Sequence, residues 1–288
     1  MIIKDILLKY NRKIDYLDLE LIISHVLKKS REAVLAHPEH EITKRQAAKI
    51  IKFIKRRQKH EPLAYILEHK EFYGLDFKVN QNTLVPRPET EMLVDETLSL
   101  LRSMLRNKTA VIDIGSGSGN IIISIAKELE KNYKFFGIDI SPKALTVAKN
   151  NAKKHKVDKK IKFLKSDLLD CFLKNNPEIK KFDNLIITAN LPYLDIGWKN
   201  LLNSTETKGL QYEPSIALYS GQDGLDAYRK LAGQTEKIKA FLKNKNIYLF
   251  CEIGHLQKPK MEKIFSFAKK TSFKKDLAKK WRMAIVEI

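Results

Sequence analysis

The sequence predicts an α/β protein: a mostly parallel sheet covered by helices on both faces, preceded by a smaller, wholly helical segment. Three observations carry this expectation. From Ala110 onward, short continuous apolar runs alternate with helix-length stretches, as in parallel strands buried on both faces. Ahead of residue 70 the apolar residues instead recur at helical spacing. Two short extended stretches then separate the helical part from the alternating part, and the latter makes a three-layer α/β domain.

In the helical segment, Leu17, Leu19, Leu21, Ile22, His25, Val26 and Leu27 suggest one apolar helix face. A second helix is expected from Ile42-Thr43, with Thr43 as N-cap and Gln46 three residues on completing a capping box. Ile50, Ile51 and Ile54 form its apolar stripe. Phe72 to Val79 alternates, and Thr83-Leu84-Val85 follows Asn80-Gln81-Asn82, which together read as a hairpin. Pro86 and Pro88 interrupt regular structure before a helix near Glu89. The expected strands are Ala110–Ile114, Phe135–Ile140, Ile161–Leu164, Leu185–Ala189 and Ile247–Glu252, with Arg282–Ile288 as a final antiparallel edge strand.

Composition narrows the class. Hydrophobic residues make up 43% and charged residues 31%, as in ordinary globular proteins. No run approaches the roughly 18 apolar residues of a membrane span. The opening Met1-Ile2-Ile3-Lys4-Asp5 lacks the pattern of a secretory leader, so a cytoplasmic protein is expected. Cys171 and Cys251 supply neither a disulfide framework nor a metal quartet. Both read as buried inert thiols, and no metal is expected. The net charge of +20 comes from 54 Lys and Arg against 34 Asp and Glu. It suits an anionic partner such as RNA, but fits better a lysine-biased composition with clusters at Lys153–Lys165 and Lys258–Lys280 on solvated helix faces. Charge leaves the substrate open.

The first chemical motif is Asp113-Ile114-Gly115-Ser116-Gly117-Ser118-Gly119-Asn120, leaving a buried strand and entering the helix Ile121–Glu130. Glycines let the backbone turn sharply and approach a ligand closely, at the strand end where open α/β sheets bind ligands. A dinucleotide fingerprint would need glycine where Asn120 stands, and a phosphate-binding Walker loop would need a lysine. The Gly-x-Gly-x-Gly loop suits the methionine end of S-adenosyl-L-methionine. About twenty residues beyond Gly119, Asp139 ends the next strand, where a carboxylate can accept bonds from both ribose hydroxyls. After the third strand, Asp167 can bond the exocyclic amine of adenine, and Leu168 can pack on its ring.

The second motif is Asn190-Leu191-Pro192-Tyr193, closing the fourth strand. It suits methylation of a planar nitrogen, whose delocalised lone pair makes it a poor nucleophile. The Asn190 carboxamide oxygen and the Leu191 carbonyl can each accept an N–H from a substrate –NH₂. Such bonds hold the nitrogen in place and favour the positive charge that develops on it. Pro192 stiffens the loop and Tyr193 offers an aromatic wall. Asn190 and Tyr193 are therefore the catalytic candidates, with Asn190 also touching the cofactor and all four residues touching the substrate.

Taken together these residues resemble the release-factor glutamine methyltransferases, over nearly the whole chain. The resemblance rests on Ser30 to His37, Arg56 to Tyr65, Leu84-Val85-Pro86-Arg87-Pro88-Glu89-Thr90-Glu91, Tyr212 to Leu218, Gly221 to Tyr228, and Glu252-Ile253-Gly254 with Gln257. It implies a seven-stranded, Rossmann-like class I methyltransferase sheet with a small N-terminal helical bundle joined by a β-hairpin. By that resemblance residues 1–70 form a substrate-recognition domain, 71–90 a hairpin linker and 91–288 the S-adenosylmethionine-dependent domain. The implied substrate is the Gly-Gly-Gln glutamine of class I peptide chain release factors, methylated on its side-chain nitrogen by an enzyme expected to be monomeric. By the same resemblance the Arg87-to-Glu91 segment lies over the pocket. Two positions depart from the family: Leu191 stands where it usually has proline, and Glu68 where it usually has glycine.

Three rivals stay open at this level. Asn-Leu-Pro-Tyr is typical of ribosomal RNA adenine dimethyltransferases, but those place the glycine loop near their start. A glutamine methyltransferase of a ribosomal protein is closer, but tends to read Pro-Arg-Ser-Pro at the hairpin. A catalytically silent RNA- or ribosome-binding module that kept the fold would show no affinity for S-adenosyl-L-methionine.

Overall fold

The computed structural model describes residues 1–104, 108–129, 133–173, 178–197, 207–242 and 245–288. These divide into two compact units. One comprises Met1–His69 with the short segment 207–212, and the other the remainder from Lys70.

The first unit holds helices α1 (Ile3–Tyr10), α2 (Tyr16–Leu27), α3 (Arg31–Ala36), α4 (Lys44–Arg57) and α5 (Leu63–Leu67). Ile3, Ile6, Leu19, Ile22, Ile50, Ile54 and Ile66 share one core, which supplies the stability that such short helices lack alone. The expected capping box of α4 is present, with Thr43 Oγ1 accepting from the Gln46 N–H and Gln46 Oε1 from the Thr43 N–H. Ile50 and Ile54 are buried as expected, but Leu17 of the α2 face is exposed. Buried Glu20 on α2 is paired with Arg31 on α3. After α5, Glu68 adopts φ +62°, the left-handed conformation that favours glycine.

The hairpin lies earlier than the sequence suggests. Its strands are β1 (His69–Phe72) and β2 (Leu75–Lys78), and residues 83–85 are not a strand. The reason is the turn: Tyr73 and Gly74 both have positive φ, +53° and +66°, as a two-residue hairpin turn of matching twist requires. Tyr73 tolerates this because its N–H bonds Glu91 Oε1 and its hydroxyl bonds Asp95 Oδ1, both at 2.8 Å.

The second unit continues with α6 (Glu91–Ser103), β3 (Thr109–Ile114), α7 (Asn120–Glu128), β4 (Tyr133–Asp139), α8 (Pro142–Lys154), β5 (Ile161–Lys165), α9 (Asp170–Leu173), β6 (Asn184–Ala189), α10 (Asp226–Phe241), β7 (Asn246–Glu252), α11 (Lys258–Ile264), β8 (Lys270–Lys275) and β9 (Trp281–Glu287). Helix α7 ends at Glu128, and Glu130, its expected end, lies outside the described residues. The sheet order is β5-β4-β3-β6-β7-β9-β8, giving the expected seven strands. Strands β3 to β7 pair in parallel, whereas β9 is antiparallel to both β7 and β8. Alternate residues serve the two faces. Ile112, Ile114 and Ile138 pack with α9, α10 and α11, while Val111, Phe135 and Ile186 pack with α6, α7 and α8.

Two expectations at this end are corrected. The last strand, β9, is interior rather than an edge, and part of the lysine cluster at 258–280 forms β8 rather than a helix face. Lys270-Thr271-Ser272-Phe273-Lys274-Lys275 is a short lysine-rich edge, the composition that keeps unpaired strand edges from pairing with other chains. Of the cysteines, Cys251 is buried and Cys171 half-buried, and neither is in a disulfide among the described residues. Burial pushes both thiols up from the usual range. No helix of the described residues is long and apolar enough to cross a membrane.

Candidate active site

The carboxyl ends of β3, β4, β5 and β6 surround a cavity of about 220 Å³, where a parallel sheet of this kind opens to ligands. Ten of the twelve residues singled out from the sequence line it: Gly115 to Ser118 after β3, Asp139 at the end of β4, Asp167 and Leu168 after β5, and Asn190 to Pro192 after β6. Gly119 and Tyr193 do not.

The glycine loop is shaped by backbone demands. Gly117 has φ +55°, and a Cβ there would meet only the Gly115 carbonyl oxygen, at 3.8 Å. A side chain would therefore stand in the cavity rather than in protein. Gly119 serves packing instead. With φ +81° it caps α7, and a Cβ would lie 2.8 Å from Ile123 Cδ1 and 3.2 Å from Ala148 Cβ of α8. The loop is tied down by Asn151 on α8, which sequence reasoning missed. Its Nδ2 donates to the carbonyls of Lys78 and Ser118, and its Oδ1 accepts from the Lys78 N–H. A buried asparagine in a lysine-rich helix carries no local signal; only the fold shows its use.

Asp139 Oδ2 accepts the Gly117 N–H at 2.9 Å and Oδ1 the Ser141 N–H at 2.8 Å. Burial raises its pKa and these bonds oppose the rise. The carboxylate thus fastens the glycine loop to the start of α8, where Ser141 is the N-cap, and each oxygen keeps a further lone pair for a ligand hydroxyl. Asp167 is more exposed and is held by Lys230 Nζ at 2.5 Å. Leu168 has φ +50°, which turns the chain at the cavity wall. Beneath the loop, Asp113 accepts from Thr188 Oγ1 at 2.9 Å. Burial pushes its carboxyl up to about 7, and its Oδ2 is buried with no partner among the described residues.

On the other side of the cavity, Asn190 Nδ2 donates to Thr90 Oγ1 at 3.1 Å. Thr90 donates in turn to Glu252 Oε2 at 2.6 Å. Tyr193 lies behind the cavity wall, its hydroxyl 3.3 Å from Glu252 Oε1 and its carbonyl accepting from Gln257 Nε2. Burial pushes the Tyr193 phenol up, and pushes the Glu252 carboxyl up to about 7. In the Arg87-to-Glu91 segment, expected over the pocket, Arg87 and Thr90 line the cavity themselves. Arg87 is fixed by buried Glu213, which also accepts the Val85 N–H.

Leu191 is buried at 3% exposure. Its N–H donates at 3.4 Å to the hydroxyl of Tyr228, which itself donates to the Glu252 carbonyl. A proline at 191 would have no proton for that bond. Here Tyr228, wholly buried on α10, holds the loop by joining the ends of β6 and β7.

The parallel sheet, the glycine loop at its switch point and the acidic residue at the next strand end define a class I methyltransferase, and residues 105–285 match the model of a methyltransferase domain. S-adenosyl-L-methionine is the methyl donor of this class, and the site fits it: space above Gly117, acceptors on Asp139, and an apolar wall at Leu168 and Ile140. Residues 4–67 match the model of the PrmC N-terminal domain. The chain is 33% identical to a release factor glutamine methyltransferase of Mycoplasma mycoides, over 96% of this chain and 94% of the relative. It is 37% identical to one of Bacillus anthracis, over 82% and 78%. A bifunctional methyltransferase of Rickettsia bellii is 35% identical over 86% of this chain, which spans only 46% of that relative. Among solved structures, the hMettl16 catalytic domain in complex with a MAT2A 3′UTR hairpin superposes with TM-score 0.54 at 15% identity, over 85% of this chain and 81% of that one, a likeness of fold. The chain belongs to the release factor glutamine methyltransferase family.

Proposed function

We propose that the protein methylates the side-chain amide nitrogen of the glutamine in the Gly-Gly-Gln motif of class I peptide chain release factors. The observation that carries this reading is Asn190. Its Nδ2 is committed to Thr90, which leaves the carboxamide oxygen on the cavity wall as an acceptor for a planar –NH₂. The Leu191 carbonyl is the second acceptor, its peptide anchored through the bond to Tyr228. Two acceptors on one –NH₂ fix the plane of the substrate amide and favour the charge its nitrogen gains during attack.

The cofactor supplies an electrophilic methyl group when bound. Gly115 to Gly119 give its methionine end room, Asp139 accepts from the ribose hydroxyls, and Asp167 and Leu168 flank the adenine. Asn190 borders both partners. Tyr193 supports the loop from behind through Glu252 rather than as a cavity wall. The helical unit of residues 1–70 grips the release factor, and 71–90 links it to the methyltransferase domain of 91–288.

Mass spectrometry of a release factor incubated with enzyme and S-adenosyl-L-methionine tests the reading. A gain of one methyl group on the Gly-Gly-Gln peptide is expected. Methyl uptake into ribosomal RNA or a ribosomal protein, with that peptide unchanged, would overturn it.

A further inference from the structure

We infer that Thr90 and Glu252 are positioning residues that set which end of the Asn190 carboxamide faces the substrate, and so make the site select an –NH₂ over a carboxylate. This rests on the glutamine reading above.

A carboxamide is nearly symmetric in shape, yet one end accepts hydrogen bonds and the other donates them. Turning Asn190 over would present a donor to the cavity with almost no change in packing. What forbids the turn is a chain of donors with a fixed direction. Glu252 closes β7 at 1% exposure, and its carboxylate is acceptor-only. Tyr193 donates to one of its oxygens and Thr90 to the other. The Thr90 hydroxyl has a single proton, and giving it to Glu252 leaves that oxygen only lone pairs for Asn190. Asn190 must then offer one N–H of its –NH₂ to Thr90, which turns the oxygen end of the carboxamide away from that hydroxyl and toward the ligand. Thr90 is itself buried, at 1% exposure, so bulk water does not compete for either bond.

The consequence is chemical discrimination. A glutamine side chain brings the donor that the Asn190 oxygen needs, whereas a glutamate brings a second acceptor and is repelled. Glu252 exerts this effect without lining the cavity. In Glu252→Gln the new amide can donate to Thr90, which frees the threonine proton for the Asn190 oxygen and permits the turn. In Thr90→Val the constraint is gone, whereas Thr90→Ser keeps it.

The test compares these three variants with the wild type on a release factor carrying Gly-Gly-Gln and on one carrying Gly-Gly-Glu as inhibitor. In Thr90→Val and Glu252→Gln, kcat should fall about ten-fold or more, the loss expected when an oriented hydrogen bond is removed. Affinity for S-adenosyl-L-methionine by calorimetry should stay within about two-fold. The preference for the glutamine over the glutamate protein should shrink by about the same ten-fold factor, and Thr90→Ser should restore it. An unchanged preference in both variants overturns the inference, as does a loss of cofactor affinity equal to the loss of kcat. Side-chain amide NMR of Asn190 in the substrate-free protein reads the orientation directly, since the –NH₂ proton bound to Thr90 should be protected in wild type and Thr90→Ser and exchange freely in the other two. If glutamine were not the acceptor, the release-factor assay would fail while this NMR pattern persisted; unprotected wild-type protons would overturn the orientation itself.

Discussion

Asn190 illustrates how much one side chain depends on its neighbours. Asn190→Ala should bind S-adenosyl-L-methionine much as wild type does, yet lose turnover by roughly 3 kcal/mol or more in activation free energy, the scale of one oriented transition-state hydrogen bond. Calorimetry and single-turnover rates check both halves, and a wild-type rate would show that another residue holds the acceptor. Motif residues whose job is to touch a ligand are legible in the sequence because chemistry restricts their type and spacing. Tyr193 is legible as part of the motif but not in its place, since an aromatic next to a proline does not reveal whether it faces a cavity or, as here, a buried glutamate. Glu68 is the opposite case, where the departure from glycine is visible and its cost is structural. At φ +62°, Glu68→Gly should stabilise the protein by about 0.5–1 kcal/mol, the left-handed penalty less the added chain entropy of glycine. Urea unfolding would read the gain, and a loss of stability would mean that the glutamate contributes more than its backbone costs.

Elements are most legible where their signal is local. The parallel strands announce themselves as apolar runs, and the capping box fixes the start of α4. The hairpin is displaced from its expected position because alternation through Phe72 to Val79 continues straight across its turn. Tyr73 is also an unusual residue at positive φ, held there by Glu91 and Asp95 on α6. Strand β8 escapes notice because its lysines mimic a solvated helix face. The loop after β3 is plainly glycine-rich, but its support is invisible in the sequence, since Asn151 acts across more than thirty residues of chain. Asn151→Ala removes three hydrogen bonds to the backbone of Lys78 and of buried Ser118, so a loss of about 3 kcal/mol is expected. Cofactor affinity should weaken with it. Gly119→Ala should be destabilised by about 1–3 kcal/mol through overpacking and strain between α7 and α8, with thermal melting as the measure; a stability equal to wild type would show that the two helices can part freely.

For the molecule as a whole, two buried carboxyl groups set a pH response. Burial raises Asp113 from an ordinary 3.8, and Glu252 from 4.5, each to about 7. The folded state therefore binds more protons than the unfolded chain across that interval. The stability these groups confer is complete below their unfolded values and is lost as pH rises through about 7. Melting temperature should thus be higher at pH 5.5 than at pH 8, with Asp113→Asn and Glu252→Gln each flattening the slope; a flat wild-type profile would remove the premise. Activity should run the other way. Glu252 faces Thr90 and Glu89 from the segment ahead of α6, Tyr193 after β6, Tyr228 on α10 and Arg282 on β9. Its ionised form is the one that fixes Asn190, so kcat should rise through about pH 7, and this rise should vanish in Glu252→Gln.

The interior position of β9 has a consequence in time. Strand β7, which ends in Glu252, gains its outer neighbour only from residues 281–287. During synthesis the glycine loop, Asp139 and Asn190 emerge well before the strand that braces Glu252. A nascent chain halted near residue 275 would hold every residue that lines the cavity, yet its β7 would carry a bare edge. Catalytic competence in this protein is therefore expected to arrive late and abruptly, with the insertion of one strand between two already made.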